Sequence, residues 1–240
     1  VGMAIVSMMG CSGSSTSSNA SEVSYANASL KRGGNLYDKW WKVVDGGTEP
    51  TGNHPLWADA GKTGADSWRC KECHGWDYKG KDGKYGSGSH YTGIKGILGT
   101  AKTAQEVYDL MKGTHQFAAA GRFAEADLWD VTKFAREGTL DEASYINSNK
   151  TVNGDAGTGS TLYASYCQSC HGADGKTLNF DTSVPDAGEY VGTVTADNPW
   201  EALHKVRFGN PGSEMPQREG VLTVQQMIDI IAYARTLPTQ

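Results

Sequence analysis

In four stretches between residue 100 and the C-terminus, apolar residues recur every three or four positions, the spacing of one helix face. In the first, Thr103 and Glu106 form a capping box ahead of Val107, Leu110 and Met111, and Gly113 ends the run. In the second, Leu128, Val131, Phe134 and Ala135 share a face that stops at Gly138. The third opens with Asn198 as cap, Pro199 at the first helical position and Glu201 at the third. Its Leu203 and Val206 face inward, and Gly209 closes it. The fourth pairs Thr223 with Gln226, lines Val224, Met227, Ile228 and Ile231 on one side, and is followed by Pro238.

These stretches come as two pairs, and their surroundings repeat. Phe134-Ala135-Arg136 matches Tyr233-Ala234-Arg235, and Gly34-Asn35-Leu36-Tyr37 echoes Ser160-Thr161-Leu162-Tyr163. An internal duplication is the simplest source of such spacing. It divides the chain into residues 1–34, a first domain over 35–140, a linker over 141–157 and a second domain over 158–240. The first copy carries an insertion of roughly Val43 to Ser67, which holds His54 and Trp57.

Composition narrows the class. With 38% hydrophobic and 20% charged residues among 240, the chain reads as a globular protein, and 31 glycines point to short helices joined by loops. A net charge of −5 argues against nucleic acid as a main partner. Residues 141–240 hold 6 basic and 12 acidic side chains, whereas residues 35–140 hold 14 of each. That asymmetry is either a solvated acidic face or a surface that steers a basic partner.

The first ten residues are apolar and uncharged, too few for the ~20 of a membrane span. They end at Cys11, before a Ser-rich run. This resembles the end of a bacterial lipoprotein signal, with Met8 where Leu is usual and no basic segment ahead of it. It implies lipidation of Cys11 and a flexible tether up to residue 34. The localisation expected from it is the periplasmic or cell-surface side of a bacterial membrane. An ordinary secretory signal is the alternative. Asn19-Ala20-Ser21 and Asn27-Ala28-Ser29 match the glycosylation sequon, which such a run also produces by chance.

Four of the five cysteines sit in Cys70-Lys71-Glu72-Cys73-His74 and Cys167-Gln168-Ser169-Cys170-His171, each followed by glycine. Two thiols at this spacing reach the two vinyl groups on one edge of a haem, and the adjacent imidazole swings beneath the iron. A four-cysteine zinc site would leave both histidines unexplained. A thioredoxin-like centre would need a βαβ setting, which the pattern lacks. Cys70, Cys73, His74, Cys167, Cys170 and His171 are therefore the expected attachment residues of two covalent haem c groups.

With helix, C-x-x-C-H, loop, helix, distal loop and terminal helix in this order, residues 34–138 and 158–238 resemble the class I cytochrome c fold, twice over. The resemblance implies an all-α protein and a sixth ligand for each iron. In the second copy that ligand is Met215, in Glu214-Met215-Pro216, 44 residues after His171. The first copy has no Met-Pro. His115 lies 41 residues after His74 and 20 before Ala135, where Met215 lies 19 before Ala234. Position thus favours His115, with Met111 and His90 as alternatives. His54 and His204 are expected to be exposed.

The expected function is electron transfer outside the cytoplasm, between a redox donor and an acceptor. Thioether ligation raises a haem's potential relative to imidazole, so electrons would run from the His74/His115 haem to the His171/Met215 haem. The alternatives are a haem enzyme, of the di-haem peroxidase or thiosulfate dehydrogenase kind, and the cytochrome subunit of a larger redox complex. A peroxidase needs an open iron. A thiosulfate dehydrogenase needs a cysteine ligand, and Cys11 alone is spare. An exposed apolar patch at Trp40-Trp41 or Trp57 would favour the subunit reading.

Overall fold

The computed structural model describes residues 24–57, 62–119, 122–181, 183 and 188–240. Cys11 and Asn19 lie outside the described residues. Among those described the protein is all-α, with only isolated bridges such as Gly80 to Lys95 in place of strands. No helix among them is long and apolar enough to cross a membrane.

Helix α1 spans Leu30–Lys39, and its cap Ser29 accepts from the Arg32 amide. The chain joins the folded body earlier than the expected tether end at residue 34. Residues 24–27 are already helical, and Tyr25 packs edge-on against Trp129 with ring centres 6.3 Å apart. The tether's composition is polar, but Tyr25 and Leu30 give it enough apolar surface to dock.

Helix α2, Cys70–His74, carries the first cysteine motif. Helix α3, Ala104–Asp109, has the full Thr103–Glu106 capping box and then widens into a π turn over Leu110–Thr114. Helix α4, Glu125–Lys133, widens in the same way over Phe134–Gly138. The second half repeats the order. Helix α5 is Ala156–Tyr166, α6 is Gln168–His171 with the second motif, and α7 is Val191–Asp197. Helix α8, Pro199–Phe208, is capped by Asn198, and α9, Val224–Ala234, by the Thr223–Gln226 box.

One construction occurs in both halves. Gly33 of α1 crosses α4 so closely that a Cβ there would lie 2.1 Å from the Asp130 carbonyl oxygen. Gly159 of α5 crosses α9, where a Cβ would lie 1.9 Å from the Asp229 oxygen. Only glycine permits such contact between helix backbones. The same two aspartates cap the crossing helices. Asp130 Oδ1 accepts from the Ser29 amide at 2.6 Å, and Asp229 Oδ1 from the Asp155 amide at 2.9 Å.

Apolar burial follows the halves and then joins them. One cluster holds Leu36, Trp40, Trp41, Trp68, Phe117 and Trp129. A second holds Tyr163, Trp200, Leu203, Met227 and Ile231, but also Trp76 and Tyr85 from the first half and Ile146 from the stretch read as a linker. A third, of Tyr37, Tyr78, Phe134 and Phe208, straddles both. Trp40, Trp41 and Trp57 are buried, so they form no exposed patch.

His204 lies at this junction and is fully buried, and His54 is also buried. Both were expected at the surface. His204 Nε2–H donates to the Gly34 carbonyl at 3.0 Å, and Tyr78 Oη–H donates to His204 Nδ1 at 2.8 Å. Each ring nitrogen thus has a partner, which offsets the cost of burying the imidazole. Helical spacing places residue 204 on the flank of α8 and cannot show that the other half covers that flank.

Candidate functional site

Two cavities open beside the two cysteine motifs. The first, about 480 Å³, is lined by Cys70, Cys73 and His74, with Met111 and His115 across from them. The second, about 560 Å³, is lined by Cys167, His171 and Met215. Cys70 and Cys73 thus line one cavity and Cys167 the other. Among the described residues no three metal-ligating side chains gather as a zinc site would need.

Each motif is held by the same device. Helix α2 ends at Gly75 with φ 78° and ψ 158°, and α6 ends at Gly172 with φ 81° and ψ 163°. At positive φ a side chain would be strained, so glycine lets the chain turn away directly after the histidine. A tyrosine one helix earlier pins that turn. Tyr37 Oη–H donates to the Gly75 carbonyl at 2.5 Å, and Tyr163 Oη–H to the Gly172 carbonyl at 3.1 Å. The paired Leu-Tyr in the repeat has this purpose.

In the first cavity two imidazoles face each other. The rings of His74 and His115 have centres 6.2 Å apart. Two imidazoles bound end-on to one metal at about 2 Å per bond have ring centres roughly 6 Å apart. Each ring has its Nδ1 occupied. His74 Nδ1–H donates to the Lys95 carbonyl at 2.7 Å and His115 Nδ1–H to the Leu110 carbonyl at 3.1 Å. That fixes the tautomer with a lone pair on Nε2, the arrangement seen for metal-bound histidine. Burial holds both rings neutral, His74 down to about 4 and His115 below its usual value. Burial also pushes the Cys70 and Cys73 thiols up to about 12.

The π turn sets His115 in place. The His115 amide bonds to Leu110 O at 2.9 Å, five residues back. The extra residue rotates the end of the helix relative to an α-turn. Gln116, next along, has φ 57°, uncommon for a side-chain-bearing residue and a mark of local strain.

The insertion roofs this cavity. His54, Leu56 and Ser67 line it. His54 Nε2–H donates to the His115 carbonyl at 3.0 Å, while its Nδ1 accepts from the Leu56 amide at 3.1 Å. The insertion of the first copy thus covers the first cavity. No pattern in the sequence singled out His54.

Met111 is buried and lines the cavity beside His115. His90 points elsewhere. Its Nδ1 is 3.0 Å from Glu72 Oε2, and its ring stacks on Tyr85 with centres 4.6 Å apart.

The second cavity is built differently. Met215 is half-buried on its wall, and Cys170 is exposed. His171 Nδ1 is buried without a hydrogen-bond partner among the described residues. Burial lowers the His171 pKa and raises the Cys167 thiol to about 11. Arg69 and Lys39 of the first half reach this cavity's wall, along with Lys205.

Neither the curated proteins nor the solved structures compared with the chain gave a match. Residues 154–233 match the family model described as cytochrome C oxidase, cbb3-type, subunit III. The matched stretch runs from the start of α5 to the end of α9, a third of the chain, and contains the second motif and Met215. With the cysteine-histidine geometry above, this match supports a c-type cytochrome, an all-α protein that holds haem c covalently and moves electrons with it.

Proposed function

We propose that the protein is a di-haem cytochrome c, two class I domains in tandem, that relays electrons between exported redox partners. The observation that carries this reading is the pair of neutral imidazoles, His74 and His115, facing across an apolar cavity that also holds Cys70 and Cys73. The family match covers only the second half, and the first half shares its glycine crossing, its tyrosine pin and its C-x-x-C-H turn.

In this reading Cys70 and Cys73 would attach one haem, and His74 and His115 would hold its iron. Cys167 and Cys170 would attach the other, with His171 and Met215. When bound, the haems supply the one-electron chemistry. The chain's residues would attach them, and the Lys95 and Leu110 carbonyls would fix the tautomers of His74 and His115. With His115 and Met215 each available to its own cavity, neither iron would need an open position, which favours a carrier over a peroxidase. The described surface shows no tryptophan patch for a fixed partner.

A second reading, the cytochrome subunit of a larger redox complex, is favoured by the oxidase subunit named in the matched family's description. Lipidation at Cys11 and an extracytoplasmic location remain part of the proposal and rest on the residues around Cys11.

The test is the mass of the purified protein, then low-temperature EPR with near-infrared magnetic circular dichroism on its oxidised form. Two haem additions, one bis-histidine and one histidine/methionine low-spin signal are expected. A high-spin component that binds exogenous ligands would move the open-iron enzyme to first place.

A further inference from the structure

Three cations reach the wall of the second cavity at the junction of the halves, and two of them come from the first half. Lys39 is the last residue of α1, and Arg69 immediately precedes Cys70. Arg69 lines both cavities. Lys205, on α8, belongs to the second half.

Two of these cations already have an anion. Asp38 is fully buried, and its carboxylate pairs with both Arg69 and Lys205. Arg69 Nε–H also donates to the Asp38 carbonyl at 2.9 Å, and Lys205 Nζ to Asn210 Oδ1 at 2.6 Å. Asp66 lies 3.3 Å from Arg69 on its outer side.

Lys39 has no such partner. Among the described residues no carboxylate pairs with its ammonium. Burial, and then the neighbouring Arg69 charge, lower its pKa, while Asp38 and Asp66 pull the other way. A half-buried ammonium without its own counter-ion beside a cavity is costly unless an anion arrives. Two acids, Glu189 and Glu201, line the same cavity. Burial, and then the charge of Glu201, raise the Glu189 pKa. A carboxylate-bearing ligand would be repelled by these acids and drawn to Lys39.

We propose that the first half completes the second haem site, with Lys39 receiving the carboxylate-bearing edge of the haem that Cys167 and Cys170 would attach. This inference rests on the two-haem reading. Ferric haem carries one more positive charge than ferrous. A cation taken from its carboxylates therefore favours the ferric state and lowers the potential.

The test is an EPR-monitored redox titration of the full chain bearing Lys39→Gln, which leaves the buried Asp38 cluster intact. Lys39→Arg and Lys31→Gln on the same helix serve as comparisons, and mass spectrometry counts haems in each. The expected result is a shift of about tenfold toward the ferric state in the histidine/methionine haem, about 59 mV for a one-electron couple. Lys39→Arg should restore the parent value, and Lys31→Gln should leave it unmoved. Two attached haems with an unmoved second potential, or an equal shift in both haems, overturn the inference alone. A protein with one haem overturns it together with the two-haem reading.

Discussion

The two halves share a frame and differ in what they build on it. Both cross their first and last helices at a glycine, cap that crossing with an aspartate, and pin the turn after the histidine with a tyrosine. The first half then closes its cavity with a second imidazole and a roof supplied by the insertion. The second half offers a thioether, leaves Cys170 exposed, and takes cations from its neighbour. The frame depends on backbone contacts that allow one residue type. The ligands sit on loops, where a change costs the frame little. The two halves therefore differ most at His115 and Met215, the proposed sixth ligands, and at the cavity rim.

The largest expected effect comes from removing the sixth ligands in turn. His115→Ala should abolish the bis-histidine EPR signal, produce a high-spin iron that binds carbon monoxide, and leave the other signal intact. Met215→Ala should do the converse. If His115→Ala leaves both signals unchanged while Met111→Leu removes one, Met111 is the ligand and the contrast between the cavities fails.

The shared frame can be strained from both sides. Gly33→Ala and Gly159→Ala should each destabilise the protein by about 1–3 kcal/mol, the usual cost of overpacking. Denaturant midpoints measure it. Equal losses mark one construction used twice, and a loss confined to one site would mean the resemblance is superficial.

A smaller effect separates the cavities again. His54→Leu leaves the His115 carbonyl without its donor, at about 1–3 kcal/mol for a buried unpaired group. The first EPR signal should broaden as His115 gains freedom, while the second keeps its line shape. Broadening of both would show that the insertion acts on the whole molecule.

The last effect is absent at neutral pH. Burial pushes His204 down to about 3 from 6.5. The unfolded chain takes up this proton first, so the stability from neutral His204 is whole above pH 6.5 and is lost as pH falls toward 3. Burial alone would raise Asp38. Lys205 and Arg69 instead hold its carboxyl well below the usual range, so its contribution is lost only below about pH 4. His204→Gln, which can keep the bond to Gly34, should flatten the dependence of the denaturant midpoint on pH between 6.5 and 3. An unchanged slope would place the sensitivity elsewhere.

Much of this was legible along the chain. The caps at Thr103, Asn198 and Thr223 are local, since their hydrogen bonds span three residues, and all three begin helices. The cysteine motifs are local too. His115 could be placed by counting from His74 and Ala135, because the frame keeps those intervals nearly constant. His54 and His204 could not. Each is buried by residues distant in sequence, His54 by the His115 loop and His204 by α1 and Tyr78. The docking of Tyr25 and Ile146 was missed for the same reason. A polar stretch reads as a tether until the surface that receives its few apolar residues is known.

The aromatic cluster of Tyr37, Tyr78, Phe134 and Phe208 fastens the halves through a common interior. In the two-haem reading this makes the separation of the irons a constant of the fold. Electron tunnelling between them would then proceed at a rate independent of solvent viscosity. Proteins whose haem domains swing on a linker must wait for an encounter, and thickening the medium slows them. Here only exchange with outside partners should feel that drag.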